Sequence, residues 1–534
     1  MQRLISLDVL PLHLRSHPAM KSVPTAFLAL CLCANLHAQI DGDNIFSVDQ
    51  VISIDLVFPQ EDFWGELQSN YEADENDYIP AMLTLTDVSG THVMDSVGVR
   101  LKGNSSYSHP GVKKSFKIDF NKFISGQNYD GLKKLNFSNG FKDPTCMREK
   151  LFFDACREAG VPAPRASFAN VTFNGEAWGF YTVVEQIDDQ FLDWAIEEDS
   201  GNLFKAGDNF GGGGPGGGGD NNTAADLADY GTDPAVYADR YELKTNEDAN
   251  DWSDLISFID FINNTDLDAF AAGIDFRMDV DGFLRSAALD MLFSNLDSYT
   301  GSARNYYIYH NQDSNLWEWI KWDGNEAFGS YTNGAGNMET LAIDYANPTR
   351  PLLERMFDHD DLYARYLDHV CELTETLFNG AHLHERIDVV TELIASSVYA
   401  DDNKMYSNAD FDVNVVSNLS GGGGPMGGAT YGLKSFVTNR SAYVASQLEC
   451  QSVSQVETLA SSLRTFPNPA QHEVMVEGLS EDTEVSLLSA SGGVVFQTRT
   501  RDQTMLRIDV STLAEGIYIV RSSHGWAERL LIIR

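Results

Sequence analysis

Basic residues are scarce: 37 Lys and Arg stand against 78 Asp and Glu in 534 residues, for a formal charge of −41. A surface this acidic repels phosphate backbones and anionic membranes, which argues against nucleic acid as a partner. Cysteine is scarce too, six in all, and no CxxC or CxxxC pair occurs, so no structural zinc site is expected. No apolar run approaches the roughly 20 residues that a membrane-spanning helix needs, so no transmembrane segment is expected. What is present is a globular composition, 43% hydrophobic and 11% aromatic, on a chain longer than one ordinary domain. One large or two fused domains with an appendage are expected.

The N-terminus carries Lys21, an apolar run over 26–33 and Leu36-His37-Ala38, the pattern of a secretory signal peptide with a small-residue cleavage site. Residues 1–38 are therefore set aside from the fold, and 1–19, upstream of Met20, read as a mis-assigned start. Cys31 and Cys33 leave with the signal, while Cys146, Cys156, Cys371 and Cys450 remain. The ten-residue gap between Cys146 and Cys156 falls in one expected helix, which would hold them about 15 Å apart, too far to bridge each other.

Residues 46–124 alternate strand-like runs with turns, a helix is expected over 145–159, and strands follow at 169–173 and 179–185. Glycine tracts at 211–219 and 421–428 have no side chains with which to build a core and read as mobile loops. The strongest helical period runs over 281–296 behind Asp279 and Asp281, either of which suits a cap. The DVDG run there lacks the other ligands of a calcium loop. Residues 331–450 show helical cores such as Leu352, Leu353, Met356 and Phe357. At 465–534, short strands punctuated by turns predict a small all-β, Ig-like sandwich joined through a linker at 451–464.

Two constellations carry chemistry. Residues 100–150 hold eleven basic against four acidic side chains, concentrated around Lys102-Gly103-Asn104-Ser105-Ser106. A tight Gly/Ser turn beside a strand-borne lysine suits a phosphate, and a solvated basic face is the plainer alternative. The second is Asp297, Asn305 and Asp323 around an aromatic hairpin. A turn centred near Ser314 would pair Asn305 with Asp323 on one face, where an amide oxygen and a carboxylate suit magnesium. Asp297 would then approach a substrate hydroxyl. The plainer alternative is a turn Asp, a strand-end Asn and a capping Asp. His109 and His310 read as loop residues, and the Tyr306/Tyr307/Tyr309 and Trp317/Trp319/Trp322 clusters as sheet packing.

The order of Val99-Arg100-Leu101-Lys102-Gly103-Asn104-Ser105-Ser106, Lys114-Ser115-Phe116-Lys117, Met147-Arg148-Glu149-Lys150, Trp178-Gly179-Phe180-Tyr181, Glu185-Gln186-Ile187-Asp188 and the Asp297/Asn305/Asp323 set resembles the spore-coat-protein-H (CotH) kinase family. Phe466-Pro467-Asn468-Pro469-Ala470 and the terminal strands resemble the C-terminal sorting domain of type IX secretion substrates. The first resemblance implies an α+β, atypical protein-kinase-like, two-lobed domain over 45–450 with ATP and Mg²⁺ or Mn²⁺ between the lobes. It implies that 102–106, including Lys102, Gly103, Asn104 and Ser105, cover the phosphates. Lys117 would contact them, with Lys114 or Lys205 as substitutes, and Arg148 or Glu149 would position that lysine. Residues 184–188, including Glu185 and Asp188, would lie beside the adenine. Asp297 would serve the acceptor, and Asn305, Asp323 and Asn325 the metal. Asn325 stands where the family commonly has an acid, which removes a charge from the metal site; Glu326 is a possible compensator.

The activity implied is that of a secreted or cell-surface kinase acting on Ser or Thr of an extracytoplasmic protein. Amino-acid ligation, adenylylation or a non-catalytic scaffold role are the alternatives. The second resemblance implies the type IX machinery as a partner.

Overall fold

The computed structural model describes residues 40–73, 77–207, 224–345, 349–419, 430–448, 464–479, 483–489, 494–500, 504–522 and 527–533. The expected signal peptide, both glycine tracts, Cys450 and nearly all of the linker lie outside these residues.

The first half is built from strands with a two-residue period. In β1 (Val51–Val57) the residues Ile52, Ile54 and Leu56 are buried, and in β2 (Ile79–Asp87) Ile79, Ala81, Leu83 and Leu85 are. With β3 (Gly90–Leu101), β4 (Phe116–Asp119), β5 (Lys134–Ser138), β6 (Ala166–Phe173) and β7 (Glu176–Glu185) they form a closed barrel, ordered β1-β2-β3-β4-β5-β7-β6. Phe116 and Phe137 stack inside it at 4.4 Å. Closure comes from parallel pairing of β1 with β6, Val51 opposite Phe168. The sequence predicted the strands other than β5, but not the barrel, because no local pattern announces a parallel pairing so distant in sequence.

Between β5 and β6 lies the helix Arg148–Glu158, shorter than expected at its start. The Asp143 carboxylate accepts from the backbone N–H of Thr145 at 2.9 Å and of Arg148 at 2.8 Å, which holds 143–147 in a loop ahead of the first turn. Cys146 therefore precedes the helix, at φ 54°, and both Cys146 and Cys156 are buried free thiols. Cys371 is disulfide-bonded.

The second half holds a four-stranded antiparallel sheet of β8 (Asn202–Ala206), β9 (Tyr241–Leu243), β10 (Tyr306–Asn311) and β11 (Leu316–Lys321), ordered β11-β10-β8-β9. One face, with Phe204, Tyr241, Tyr306, Ile308, Trp317 and Trp319, packs on a helical core. The helix Val280–Leu292 crosses that core; Asp279 caps it, accepting from Gly282 N at 3.1 Å. Asp281 instead pairs with Arg365 and His369. His310 lies on β10 and not in a loop, with its ring stacked on Trp317 at 4.7 Å. No helix among the described residues is long and apolar enough to cross a membrane.

Farther along, two antiparallel sheets, β12-β13-β16 and β15-β14-β17-β18, share one apolar core that includes Val474, Val485, Ile508, Val520 and Leu530. Their strands are β12 (Arg464–Phe466), β13 (Glu473–Glu477), β14 (Glu484–Ser489), β15 (Val494–Arg499), β16 (Met505–Asp509), β17 (Gly516–Ser522) and β18 (Ala527–Ile532).

A buried ion pair ties the barrel to the helical half. Lys113 Nζ lies 2.7 Å from Asp401 Oδ2, with side chains 1% and 2% exposed, and Asp401 also accepts from Phe180 N at 3.0 Å. Asp401 follows the helix Gly380–Ala400. Removing one partner strands a buried charge, so Asp401→Ala is expected to lower stability in urea denaturation by about 3–5 kcal/mol. Loss of the half-exposed Lys133–Asp189 pair should cost under about 1 kcal/mol.

Glu318 on β11 titrates at about 7, pushed up from 4.5 by burial and by the Asp279 charge, against one hydrogen bond from Asn311. Between those two values the folded protein holds a proton that the unfolded chain has lost, so rising pH there costs stability. Urea midpoints at pH 5 and pH 8 should fall more for wild type than for Glu318→Gln.

Candidate active site

Two polar rows face each other across a cavity of about 910 Å³. On the barrel, register places Arg100 opposite Lys117 and Lys117 opposite Asn136, so the three share the outer face while Leu101, Phe116 and Phe137 point inward. On the second sheet, Lys205 is paired with both Tyr307 and Glu242, and these three share the face turned away from the helical core. All six side chains line the cavity.

The barrel wall is cationic. Lys117 Nζ donates to Gln186 Oε1 at 2.6 Å, and Asn136 Nδ2 reaches the same oxygen at 3.3 Å. Burial holds the Lys117 ammonium well below its ordinary pKa, and Arg100, Lys134 and Lys102 push the same way. Lys102 Nζ reaches Asn136 Oδ1 at 3.4 Å and sits 5.3 Å from the Trp322 ring centre. Burial also lowers Lys102, opposed by Glu149 and Asp323. Burial raises Glu149, the second residue of its helix, against the Lys102 charge and a Ser138 hydrogen bond.

After β3 the chain turns at Gly103, φ 97°, where an added Cβ would meet Ser106 Oγ at 2.2 Å. This turn is fastened from outside. The Tyr71 hydroxyl donates to the Gly103 carbonyl, Tyr71 stacks on Tyr107 at 3.8 Å, and the Tyr107 hydroxyl donates to Glu72 at 3.0 Å.

The opposite wall mixes Lys205, Lys244 and Arg304 with the acids Glu242, Asp297, Asp323 and Glu326. Asp297 follows the helix Val280–Leu292 in a loop, its Oδ1 accepting from Ser302 Oγ at 2.8 Å and its Oδ2 from Asn305 Nδ2 at 3.0 Å. Asn305 and Asp323 stand just beyond the two ends of the hairpin, both left-handed at φ 60° and 54°. The ladder pairs Tyr306 with Lys321, so its register is one residue off the expected pairing of Asn305 with Asp323. They share the cavity through their turns and not through the sheet. Gly324 follows Asp323 because a Cβ there would meet Phe152 at 2.6 Å. Glu326 ion-pairs with Lys142 at 2.8 Å, and burial raises its carboxyl to about 7.

Among the described residues no group of three or more His, Cys, Asp or Glu is arranged to hold a metal ion. The donors present are two carboxylates, Asp297 and Asp323, with the amides Asn305 and Asn325, and Asn325 Oδ1 is buried with no hydrogen-bond partner. Such a set fits magnesium, which keeps several waters and takes few protein carboxylates.

Of the residues expected from sequence, the cavity gathers Lys102, Gly103, Asn104, Ser105, Lys117, Asp297, Asn305, Asp323 and Asn325. Lys114 lies elsewhere, donating to the carbonyls of Tyr107 at 2.6 Å and of His109. Arg148 is fully buried away from the cavity, bound to Asn414 and the Tyr431 carbonyl, each at 2.7 Å. Glu185 is engaged by Arg165 at 2.5 Å and Trp194 at 3.0 Å. Asp188, raised by burial to about 6, lies 4.0 Å from Lys134. Asn136, Glu242 and Arg304 line the cavity without having been singled out, as do Arg100, quoted only within a motif, and Gln186, from the 184–188 segment expected beside the adenine. The two-residue period of β4 and β5 was the available signal for Asn136. Tyr307 and Trp322, expected to be packing, line it too.

A barrel and a helical half enclosing one charged cavity define a two-lobed α+β domain with an internal cleft. The profile of CotH kinase proteins matches residues 99–444, and that of the secretion system C-terminal sorting domain matches 464–532. Inner spore coat protein H of Bacillus subtilis (strain 168) is 28% identical over 302 residues, 56% of this chain and 77% of that protein. Invasin CotH2 of Rhizopus delemar is 20% identical over 405 residues, 71% of this chain and 64% of that protein. A HipA, HipB and operator DNA complex from Shewanella oneidensis MR-1 aligns with a TM-score of 0.30 at 11% identity, covering 65% of this chain and 68% of that one, too weak a likeness to carry weight. The chain belongs to the CotH kinase family and ends in a secretion sorting domain.

The turn at Gly103 supplies a test. Gly103→Ala forces a Cβ into the left-handed region and against Ser106, so a cost of roughly 1–3 kcal/mol is expected in chemical denaturation.

Proposed function

We propose that the chain is an exported, ATP-dependent phosphotransferase acting on Ser or Thr of a protein outside the cytoplasm. The observation that carries this reading is the pairing, in one cavity, of a half-buried cationic row, Arg100 and Lys117 with Lys102 beside it, and a wall holding Asp297, Asp323, Asn305 and Asn325. Lysines desolvated among other cations favour an anion of high charge, as a triphosphate is. Lys102, Lys117 and Lys205 bind the phosphates, and the backbone of 102–106 covers them. Glu149 positions Lys102. Asp323, Asn325 and Asn305 would hold magnesium, which would supply charge neutralisation at the phosphate oxygens when bound. Asp297, oriented by Ser302 and Asn305, takes the proton of the acceptor hydroxyl as that oxygen bonds to the γ-phosphorus and ADP departs with the bridging oxygen. The kinase domain spans 45–450, since β1 and β2 of the barrel precede the matched segment. The signal peptide at 1–38 and the type IX machinery deliver the protein to the surface or medium.

Incubation with Mg²⁺ or Mn²⁺ and ATP labelled separately at the γ- and α-phosphate tests this. γ-Label should reach a protein acceptor and fall by about 10²–10⁴-fold in Asp297→Ala. Asp323→Ala should abolish metal-dependent transfer. α-Label on the acceptor would instead establish adenylylation, and absence of nucleotide binding a scaffold role.

A further inference from the structure

The edge strand β9 brings a carboxylate to the cavity. Tyr241 and Leu243 turn into the helical core, so Glu242 between them faces the other way, in register with Lys205 and Tyr307. Lys244 Nζ lies 2.7 Å from its Oε1, and the Lys205 and Lys117 charges act on it as well. These cations hold its pKa below the ordinary value against burial, so at neutral pH Glu242 is ionised and can only accept hydrogen bonds.

An ionised carboxylate repels phosphate. Lys244 engages one of the two Glu242 oxygens, and the ligand groups suited to meet the carboxylate are donors, in a ribonucleotide the sugar hydroxyls and the base amine. Position separates the two ends of the cavity. β9 and β11 lie three strand spacings apart, roughly 14 Å, with Glu242 on the first and Asp323 just beyond the second. That span accommodates a triphosphate and its sugar. Glu72, another carboxylate of the lining, is already engaged by the Tyr107 hydroxyl.

Resting on the nucleotide reading above, we propose that Glu242 is the ribose-recognising residue of the cleft, accepting a hydrogen bond from a sugar hydroxyl and thereby selecting ribonucleoside over deoxyribonucleoside triphosphates. A hydrogen bond to a charged group makes a preference of about tenfold or more the expected effect. Because Glu242 is half exposed at an edge strand, its substitution leaves the core intact.

Calorimetric titration of the full chain, wild type and Glu242→Gln, with Mg²⁺ complexes of ATP, 2′-deoxy-ATP, 3′-deoxy-ATP and inorganic tripolyphosphate tests the assignment. Wild type should bind ATP about tenfold or more tightly than at least one deoxy analogue. Glu242→Gln should bring that ratio close to one without weakening tripolyphosphate. A ratio that survives Glu242→Gln, or a wild type indifferent to both hydroxyls, overturns the assignment while leaving the nucleotide reading standing. Failure of wild type to bind either ATP or tripolyphosphate overturns both.

Discussion

An ammonium group that is both partly desolvated and surrounded by its own kind is the constraint around which the first half is organised. Lys117 stands beside Arg100 across a strand pair, with Lys102 and Lys134 near enough to repel it. Inside the barrel are apolar side chains, and the opposite charge that acts on Lys117 is Asp188, just after β7. The amide oxygen of Gln186, held also by Asn136, is the group that receives it directly. The helix Arg148–Glu158 and the loop at the end of the second sheet then supply opposite charge, Glu149 from the first and Asp323 from the second acting on Lys102. The cleft is a place where like charges are kept close by a rigid sheet, and a rigid sheet is what a closed barrel provides.

The local parts of this arrangement were legible in the chain. The period of β1 and β2, the concentration of basic residues over 100–150 and the Gly103 turn are short-range signals. So is the left-handed preference of an Asn or Asp at a strand end, which Asn305 and Asp323 both satisfy. What the sequence could not show depends on contacts between distant segments. Barrel closure rests on β1 finding β6. Whether Arg148 or Glu149 faces the cavity depends on where the helix Arg148–Glu158 lands, and its first residue is claimed by Asn414 and Tyr431 far along the chain. The hairpin register was missed by one residue because Asn311 starts the turn by accepting from Asp313 and Ser314 N. Lys114 illustrates the reverse error: a lysine close in sequence to the phosphate-type turn serves the turn's carbonyls and not its ligand.

Family membership and the sorting domain define two jobs carried by separate apolar cores, one set in the barrel and helical halves and the other in the C-terminal sheets. The acidic balance of the whole chain contrasts with the cationic barrel row. Long-range attraction for anions is weak on such a surface, so an anionic ligand would be held by contacts inside the cleft, where low dielectric strengthens each one.

Gly324 lies so close to Phe152 that no side chain fits between the Asp323 turn and the helix Arg148–Glu158. Glu149, one turn before Phe152 on that helix, and Asp323, next to Gly324, are therefore bolted to one another through a glycine–phenylalanine joint. A hinge that swung the barrel sheet would carry past them, but the two acidic groups would travel as a single piece.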